Sequence, residues 1–329
     1  PFRTLFNRFK FLKSFKKEKN PKYILRKKWG YNGKIKFIDH HLSHAGFSYF
    51  TSPYKDAAIL TVDGVGEWET VTISKGDGEN IEKKLSIDFP NSLGMLYSTL
   101  TAYLGFKPNE GEYKVMGLAP YGNPGKYLNN LKKIFHHPDK KFIINQKYFT
   151  WEYDDRIMFN NKFCKLIGIP PRLTEEPLTQ DHKDLAAACQ KLYELEFMRL
   201  VKTAFLTCDS RNLVLGGGCA YNGVANSKAY TYFKSIHIPY APSDAGSAMG
   251  ACLVSYKGKR KDNTSPYLGM RFHDYAVSRT LENYSKKIQY FYLEDNKVIK
   301  KAAELINAGN VIGWFQDKME FGARALGNR

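Results

Sequence analysis

Four side chains in this 329-residue chain are suited by type and spacing to share one divalent cation: His40, His44, Asp63 and Asp244. The two histidines stand four residues apart, so on a helix both imidazoles project from one face. An HxxxH pair also occurs on ordinary helix surfaces, and the acids add the weight. Asp63 closes the apolar stretch 57–62, where a carboxylate needs a cation or hydrogen-bond donors to offset its desolvation. Asp244 sits in Pro242-Ser243-Asp244-Ala245-Gly246 ahead of a segment of small residues, where it could be a fourth ligand or could cap a helix. Two imidazoles with two carboxylates suit a borderline cation such as Fe(II), Mn(II) or Zn(II).

Glycines flank these acids. In Asp63-Gly64-Val65-Gly66 the glycines permit a sharp turn and could bring backbone N–H groups to phosphate oxygens; the plainer alternative is a β-hairpin turn. Gly216-Gly217-Gly218 follows an apolar stretch and precedes a helical one, so its amides could also face a nucleotide. Neither GxGxxG with a trailing acid nor GxxxxGK[ST] occurs, which argues against a Rossmann dinucleotide site and a P-loop.

The elements that must position these residues can be read from periodicity. A helix is expected over 40–50, and strands over 35–38, 57–62 and 69–74, the last two joined as a hairpin. Leu93, Leu96, Leu100 and Leu104 form one stripe of a helix with Ser92 as N-cap. The segment 106–125 reads as a loop, and 126–180 as an irregular aromatic and basic insertion. A long helix is expected over 184–207, then a strand over 213–215, a helix from about Tyr221, a strand over 236–238 and a helix over 247–256. Residues 258–285 read as a polar connection, followed by a helix over 297–308 and a strand over 311–315. Two halves, each presenting a strand, a glycine turn and an acid to a common cleft, make an α/β, two-lobed nucleotide-binding fold the expectation.

Composition bounds the partners. No apolar run approaches the roughly 20 residues a membrane-spanning helix needs, so a cytoplasmic protein without a membrane span is expected. The net charge is +18, but residues 1–36 hold 13 Lys or Arg against one acid, Glu18. Charge gathered in an arm, rather than along one face, reads as a solvated segment and argues against a nucleic-acid partner. The five cysteines form no CxxC pair, and most of them read as small buried apolar residues.

Several ordered segments together resemble the nodulation and antibiotic O-carbamoyltransferases: His40-His41-Leu42-Ser43-His44-Ala45, Val62-Asp63-Gly64-Val65-Gly66-Glu67, Glu112-Tyr113-Lys114-Val115-Met116-Gly117-Leu118-Ala119-Pro120-Tyr121-Gly122, Gly216-Gly217-Gly218-Cys219-Ala220-Tyr221-Asn222 and Pro242-Ser243-Asp244-Ala245-Gly246-Ser247. The segment 319–329 is similar to the family's carbamoyl-phosphate motif. The resemblance implies a duplicated actin-like ATPase (ASKHA) domain, similar to the catalytic subunit of tRNA threonylcarbamoyl transfer, followed by the first residues of a truncated YrdC-like domain. The expected boundaries are a basic arm over 1–34, the transfer domain over 35–257, a connection over 258–295 and the YrdC-like start over 296–329. It further implies carbamoyl phosphate and ATP as substrates, carbamoyl-adenylate as the activated donor and a hydroxyl-bearing small molecule as acceptor. By position His40, His44, Asp63 and Asp244 match metal ligands. Gly217, Gly218, Asn222 and Gly246 match nucleotide-contacting segments, and Arg324, Asn328 and Arg329 fall in the carbamoyl-phosphate motif. Lys114 is expected to contact phosphate or carbonyl, and His41 or Glu67 to act as base. Because the family's opening strand and most of its last domain are not recognised, the chain is expected to be a fragment unable to cleave carbamoyl phosphate. Two other readings stay open, a non-catalytic nucleotide-binding module and tRNA modification.

Overall fold

The computed structural model describes residues 20–154, 157–256, 265–323 and 328, and the chain divides into two compact units, 1–262 and 263–329. The first unit carries α1 (Pro21–Trp29) and is built on a five-stranded sheet. Its strands are β1 (Asp56–Gly66), β2 (Glu69–Asp77), β3 (Asn80–Asp88), β6 (Asn212–Gly216) and β7 (Ser235–His237), in the order β3-β2-β1-β6-β7. β1 pairs antiparallel with β2 and parallel with β6, and β6 is parallel to β7. This makes a mixed α/β sheet in which β1 is central. A strand flanked on both faces reads as a continuous apolar run, which is why Ala57-Ala58-Ile59-Leu60 is fully buried.

Alternation along β1 assigns each side chain to a face. Ala58, Leu60 and Val62 join the large core beneath α3 (Leu93–Tyr103) and α7 (Gln180–Cys208), whereas Ala57 and Ile59 pack with Tyr49 and Phe50 of α2 (His40–Phe50). The odd-numbered face therefore carries Thr61 and Asp63 toward the histidine helix. Against α2 lies α8 (Asp244–Ser255). Their approach is set by glycines: a Cβ on Gly250 would overlap the Ser43 carbonyl oxygen, and one on Gly246 would overlap the Phe47 ring. Gly250→Ala must push α8 off α2, with an expected loss of about 1–3 kcal/mol of stability in urea unfolding.

The helix over 40–50, the hairpin, the Ser92-capped helix and the long helix have the forms expected of them, with Ser92 Oγ accepting from the Met95 N–H at 3.0 Å. Other segments differ. Residues 35–38 form no strand, since no ladder partner lies beside them among the described residues. The expected loop 106–125 contains α4 (Glu112–Leu118) and the start of α5 (Gly125–Lys132). The segment 126–180 is not irregular: α5, the small hairpin β4 (Phe135–His136) and β5 (Ile143–Ile144), and α6 (Asn161–Ile167) put Tyr127, Leu131, Phe149 and Phe163 into the main core. After Tyr221 the expected helix is a single α turn, Gly223–Asn226, followed by a 3-10 helix, Ser227–Thr231.

In the second unit, the expected polar connection includes α9 (Asp274–Tyr284), and α10 (Asp295–Asn307) follows. Residues 311–315 form no strand, and Val311 is almost fully exposed, so this apolar run has no ladder partner among the described residues. Among the described residues no helix is long and apolar enough to cross a membrane. Cys189 and Cys208 are buried, and burial pushes both thiols up, Cys208 to about 11, which fits inert packing residues.

Candidate metal centre

Asp39 is the residue before α2, so His40 and His44 stand one turn apart on its first two turns, where the helix faces the C-terminal end of β1. Asp63 lies on β1 where its pairing with β2 is interrupted after Val62. Asp244 opens α8, directly after its N-cap Ser243. The glycine-tight crossing of α8 on α2 brings the four together.

Their donor atoms converge. His40 Nε2 is 2.9 Å from His44 Nε2 and 3.0 Å from Asp63 Oδ2, and His44 Nε2 is 3.1 Å from Asp63 Oδ2. Asp244 Oδ1 stands 3.4 Å from each Nε2. Ligands about 2.0–2.1 Å from a tetrahedral ion stand about 3.3 Å from one another. Five of the six pairwise separations fall near that edge length, and all four donor atoms lie within 4.8 Å of one another, so the donor set and its spacing fit a divalent cation. The His44 side chain is 1% exposed and Asp244 78%, so the cluster is closed on the His44 side and open on the Asp244 side.

Electrostatics say the same. Hydrogen bonds to Asp244 and then Asp63 raise His40 to about 10. For His44, burial pulls downward but bonds to the two carboxylates prevail, and the net shift is upward. For Asp63, burial pushes upward and is overcome by His40 and His44; those two also hold Asp244 well below the usual carboxylate range. Four groups that otherwise hold protons for one another are what a cation would replace.

Outer contacts orient the cluster's side chains. Asp63 Oδ1 accepts the Gly218 N–H at 3.2 Å, which aims Oδ2 into the cluster. His44 Nδ1 lies 3.3 Å from Ser247 Oγ, which can fix the tautomer that leaves Nε2 free. Ser247→Ala is expected to weaken Co(II) binding about 10–100-fold in calorimetric titration, in keeping with other outer-shell partners.

Not every expected residue joins the cluster. His41 points away from it: Nε2 lies 3.0 Å from the Glu69 carbonyl, Nδ1 lies 2.7 Å from Thr61 Oγ1, and burial lowers it to about 4. With both nitrogens taken it has no site for a substrate proton, which removes it as a base. Glu67 is exposed at the hairpin turn with φ 56°, one residue past Gly66, where a Cβ would overlap the His40 ring. Lys114 is exposed on α4, its Nζ 5.8 Å over the Phe106 ring.

The glycines have structural work. Gly217, with φ 84°, comes so close to β1 that a Cβ would overlap the Val62 carbonyl, and its N–H donates to Pro242 O at 2.8 Å. Gly216 packs on Ser48. Gly64 faces open space, with only Met95 Sδ 3.9 Å from an added Cβ. Asn222 pairs with Gln190 and Gly246 packs on α2. In the second unit Asn328 is buried, its N–H donating to Glu320 Oε1 at 2.6 Å; Arg324 and Arg329 lie outside the described residues. The sequence marks Gly218 as a nucleotide contact rather than as a support of Asp63, and it does not single out Ser247 or Gln190 for any role. Their signal is faint, since each acts through the fold of a turn or helix.

Among known proteins, residues 6–253 match the carbamoyltransferase N-terminus family and residues 303–329 the carbamoyltransferase C-terminus family. An uncharacterized protein of Synechocystis, sll1178, is 42% identical over 308 residues, covering 89% of this chain and 49% of its own length. The nodulation protein NolNO of Sinorhizobium fredii is 34% identical over 304 residues, covering 90% of this chain and 43% of its own. The 3'-hydroxymethylcephem-O-carbamoyltransferase of Streptomyces clavuligerus is 30% identical over 123 residues, 36% of this chain and 22% of its own. The chain spans about half the length of the first two of these relatives.

Proposed function

The chain belongs to the carbamoyltransferase family, and we propose that it forms the transfer site of an ATP-dependent O-carbamoyltransferase. In this reading residues 35–257 are a two-lobed actin-like domain, 126–180 an insertion within it, and 258–295 a connection. Residues 296–329 belong to a YrdC-like domain in which Arg324, Asn328 and Arg329 hold carbamoyl phosphate, and residues 1–34 are a solvated basic arm. The single observation that carries the proposal is the convergence of His40, His44, Asp63 and Asp244 on one point, in a chain whose family match covers all four.

Carbamoyl-adenylate is a mixed anhydride with a good leaving group. The site has to place an acceptor hydroxyl against the carbonyl carbon, take its proton and hold the departing phosphate. The new C–O bond forms at the carbamoyl carbon, the bond to AMP breaks, and AMP leaves with the electron pair. His40, His44, Asp63 and Asp244 would hold a divalent cation, which would supply Lewis-acid polarisation of the carbonyl and positive charge for the leaving phosphate. The open side of the cluster, at Asp244 and His40, is where substrate would enter. Glu67 is the base in this reading, since its turn abuts His40 and His41 has no open nitrogen. Lys114 is free of carboxylate partners among the described residues and can reach for an anionic substrate. Gly64 offers uncrowded backbone for a nucleotide phosphate, with Gly66, Gly216, Gly217, Gly218, Asn222 and Gly246 shaping that wall.

The test uses the protein carrying this chain with ATP, carbamoyl phosphate, Mn(II) or Fe(II), and a panel of sugar and aminocyclitol alcohols. AMP release together with a carbamoylated alcohol by mass spectrometry, both lost in His40→Ala, is the expected result. Metal-dependent ATP binding with no AMP and no carbamoylated product would overturn it in favour of a non-catalytic nucleotide module.

A further inference from the structure

Asp63 is held at two points besides the cluster. Its carbonyl lies 3.1 Å from Ser92 Oγ, at the N-cap of α3, whose single proton is shared with the Gly64 carbonyl oxygen 2.5 Å away, and its Oδ1 accepts from the Gly218 N–H at 3.2 Å, in the turn after β6. Both supports lead to one side chain on α7, across the sheet from the histidines. From α3, Tyr97 Oη donates to Gln190 Oε1 at 2.9 Å. From the turn, Asn222 Nδ2 donates to the same oxygen at 3.0 Å, and Gln190 Nε2 donates back to Asn222 Oδ1 at 3.1 Å. Gln190 Nε2 also donates to Glu194 Oε1 at 3.1 Å, and Glu194 is neutralised by an ion pair with Lys228. Gln190 thus has four hydrogen bonds, two given and two accepted, the full capacity of a carboxamide, in a buried position. Asn222 in turn accepts the Ala225 N–H and heads the short helix that follows.

We propose that Gln190 is a positioning residue for the metal centre: it locks α3 to the 217–226 turn, and so fixes the carbonyl and the Oδ1 of ligand Asp63 in register. This rests on the four-ligand reading above. A buried polar network with every member satisfied is rigid and specific, and the same network with one member removed leaves buried groups unpaired. Loss of Gln190 therefore lets the Gly218 amide and the Ser92 cap drift independently, and Asp63 Oδ2 loses its aim.

The test is a comparison of Co(II) binding, by calorimetry and visible absorption, in the full chain and in Gln190→Leu, Tyr97→Phe, Asn222→Ala and the Tyr97→Phe/Asn222→Ala double variant, with urea unfolding of each metal-free form. The expected result is about a 10–100-fold weaker affinity for Gln190→Leu, an altered Co(II) spectrum in the folded variant, and non-additive losses in Tyr97→Phe and Asn222→Ala. Tyr97→Phe and Asn222→Ala each remove one arm of the junction, so they carry the test if Gln190→Leu does not fold. Co(II) affinity within twofold of wild type with an unchanged spectrum in folded Gln190→Leu, or strictly additive losses in the two arms, would overturn the proposal while leaving the metal reading intact. Wild-type Co(II) binding that is indifferent to His40→Ala and Asp63→Asn would sink the metal reading and this proposal with it.

Discussion

Asp63→Asn is expected to lower affinity for Mn(II) or Co(II) by about 10²–10³-fold. Four-ligand Zn²⁺ sites bind with roughly 10–16 kcal/mol, so one ligand accounts for roughly 2.5–4 kcal/mol, and each 1.4 kcal/mol is tenfold. The asparagine would keep the shape of the side chain but not its chemistry. The Gly218 N–H needs an acceptor, so the carboxamide oxygen takes the Oδ1 place and the NH₂ group is left facing His40 and His44. An amide NH₂ is a donor and cannot ligate a cation. The readout is a calorimetric titration of each protein, paired with far-UV circular dichroism to show that the sheet remains. An affinity unchanged within a factor of three would mean that Asp63 is not a ligand.

Metal affinity is also expected to climb with pH well past neutrality, by about tenfold per pH unit for each proton displaced. The sign follows from His40. In the metal-free protein, bonds to Asp244 and Asp63 raise it to about 10, so its Nε2 is protonated at pH 7 and a cation must expel that proton. Falling pH therefore weakens binding, and the rise continues until the pH nears 10. Between pH 6 and 8 one displaced proton amounts to about 100-fold. A histidine near 6.5 would instead give a plateau above pH 7, so a titration series from pH 6 to 9 separates the two. The same linkage acts on the metal-free fold: the His40 contribution is fully present below about pH 6.5 and is lost as pH rises toward 10. The Asp63 and Asp244 contributions are present above the ordinary carboxylate range and are lost as pH falls through their depressed values.

The clustering of His40, His44 and Asp63 was legible in the sequence because these three carry local signs. An i, i+4 histidine pair and an acid at the end of a buried apolar run are visible without any knowledge of what packs on them. His41 shows the limit. It stands beside His40, yet one step along a helix turns it by about 100°, into Thr61 and Glu69 of the sheet, and only the register of α2 on β1 decides that. Gly216-Gly217-Gly218 looks like an anion cradle, but its smallness is used to let the turn lie against β1, and one of its amides is held by Asp63. Asn80–Asp88 escaped notice as a strand because it is polar and lies at the sheet edge, where only one side must pair. Residues 311–315 differ for the opposite reason: an apolar β-branched start is a strand signal, but a strand exists only with a partner, and none lies beside them among the described residues.

The central claim is that His40, His44, Asp63 and Asp244 hold one divalent cation at the heart of a transfer site. Metal analysis of the purified protein combined with X-ray absorption at the metal edge tests it most directly. The expected result is one tightly held ion per chain with two imidazole nitrogens and carboxylate oxygens about 2.0–2.2 Å away, a signal lost in a His40→Ala/His44→Ala variant. Protein that retains no stoichiometric metal after loading with Mn(II), Fe(II), Co(II) or Zn(II), or a bound ion whose shell contains no imidazole, would contradict it.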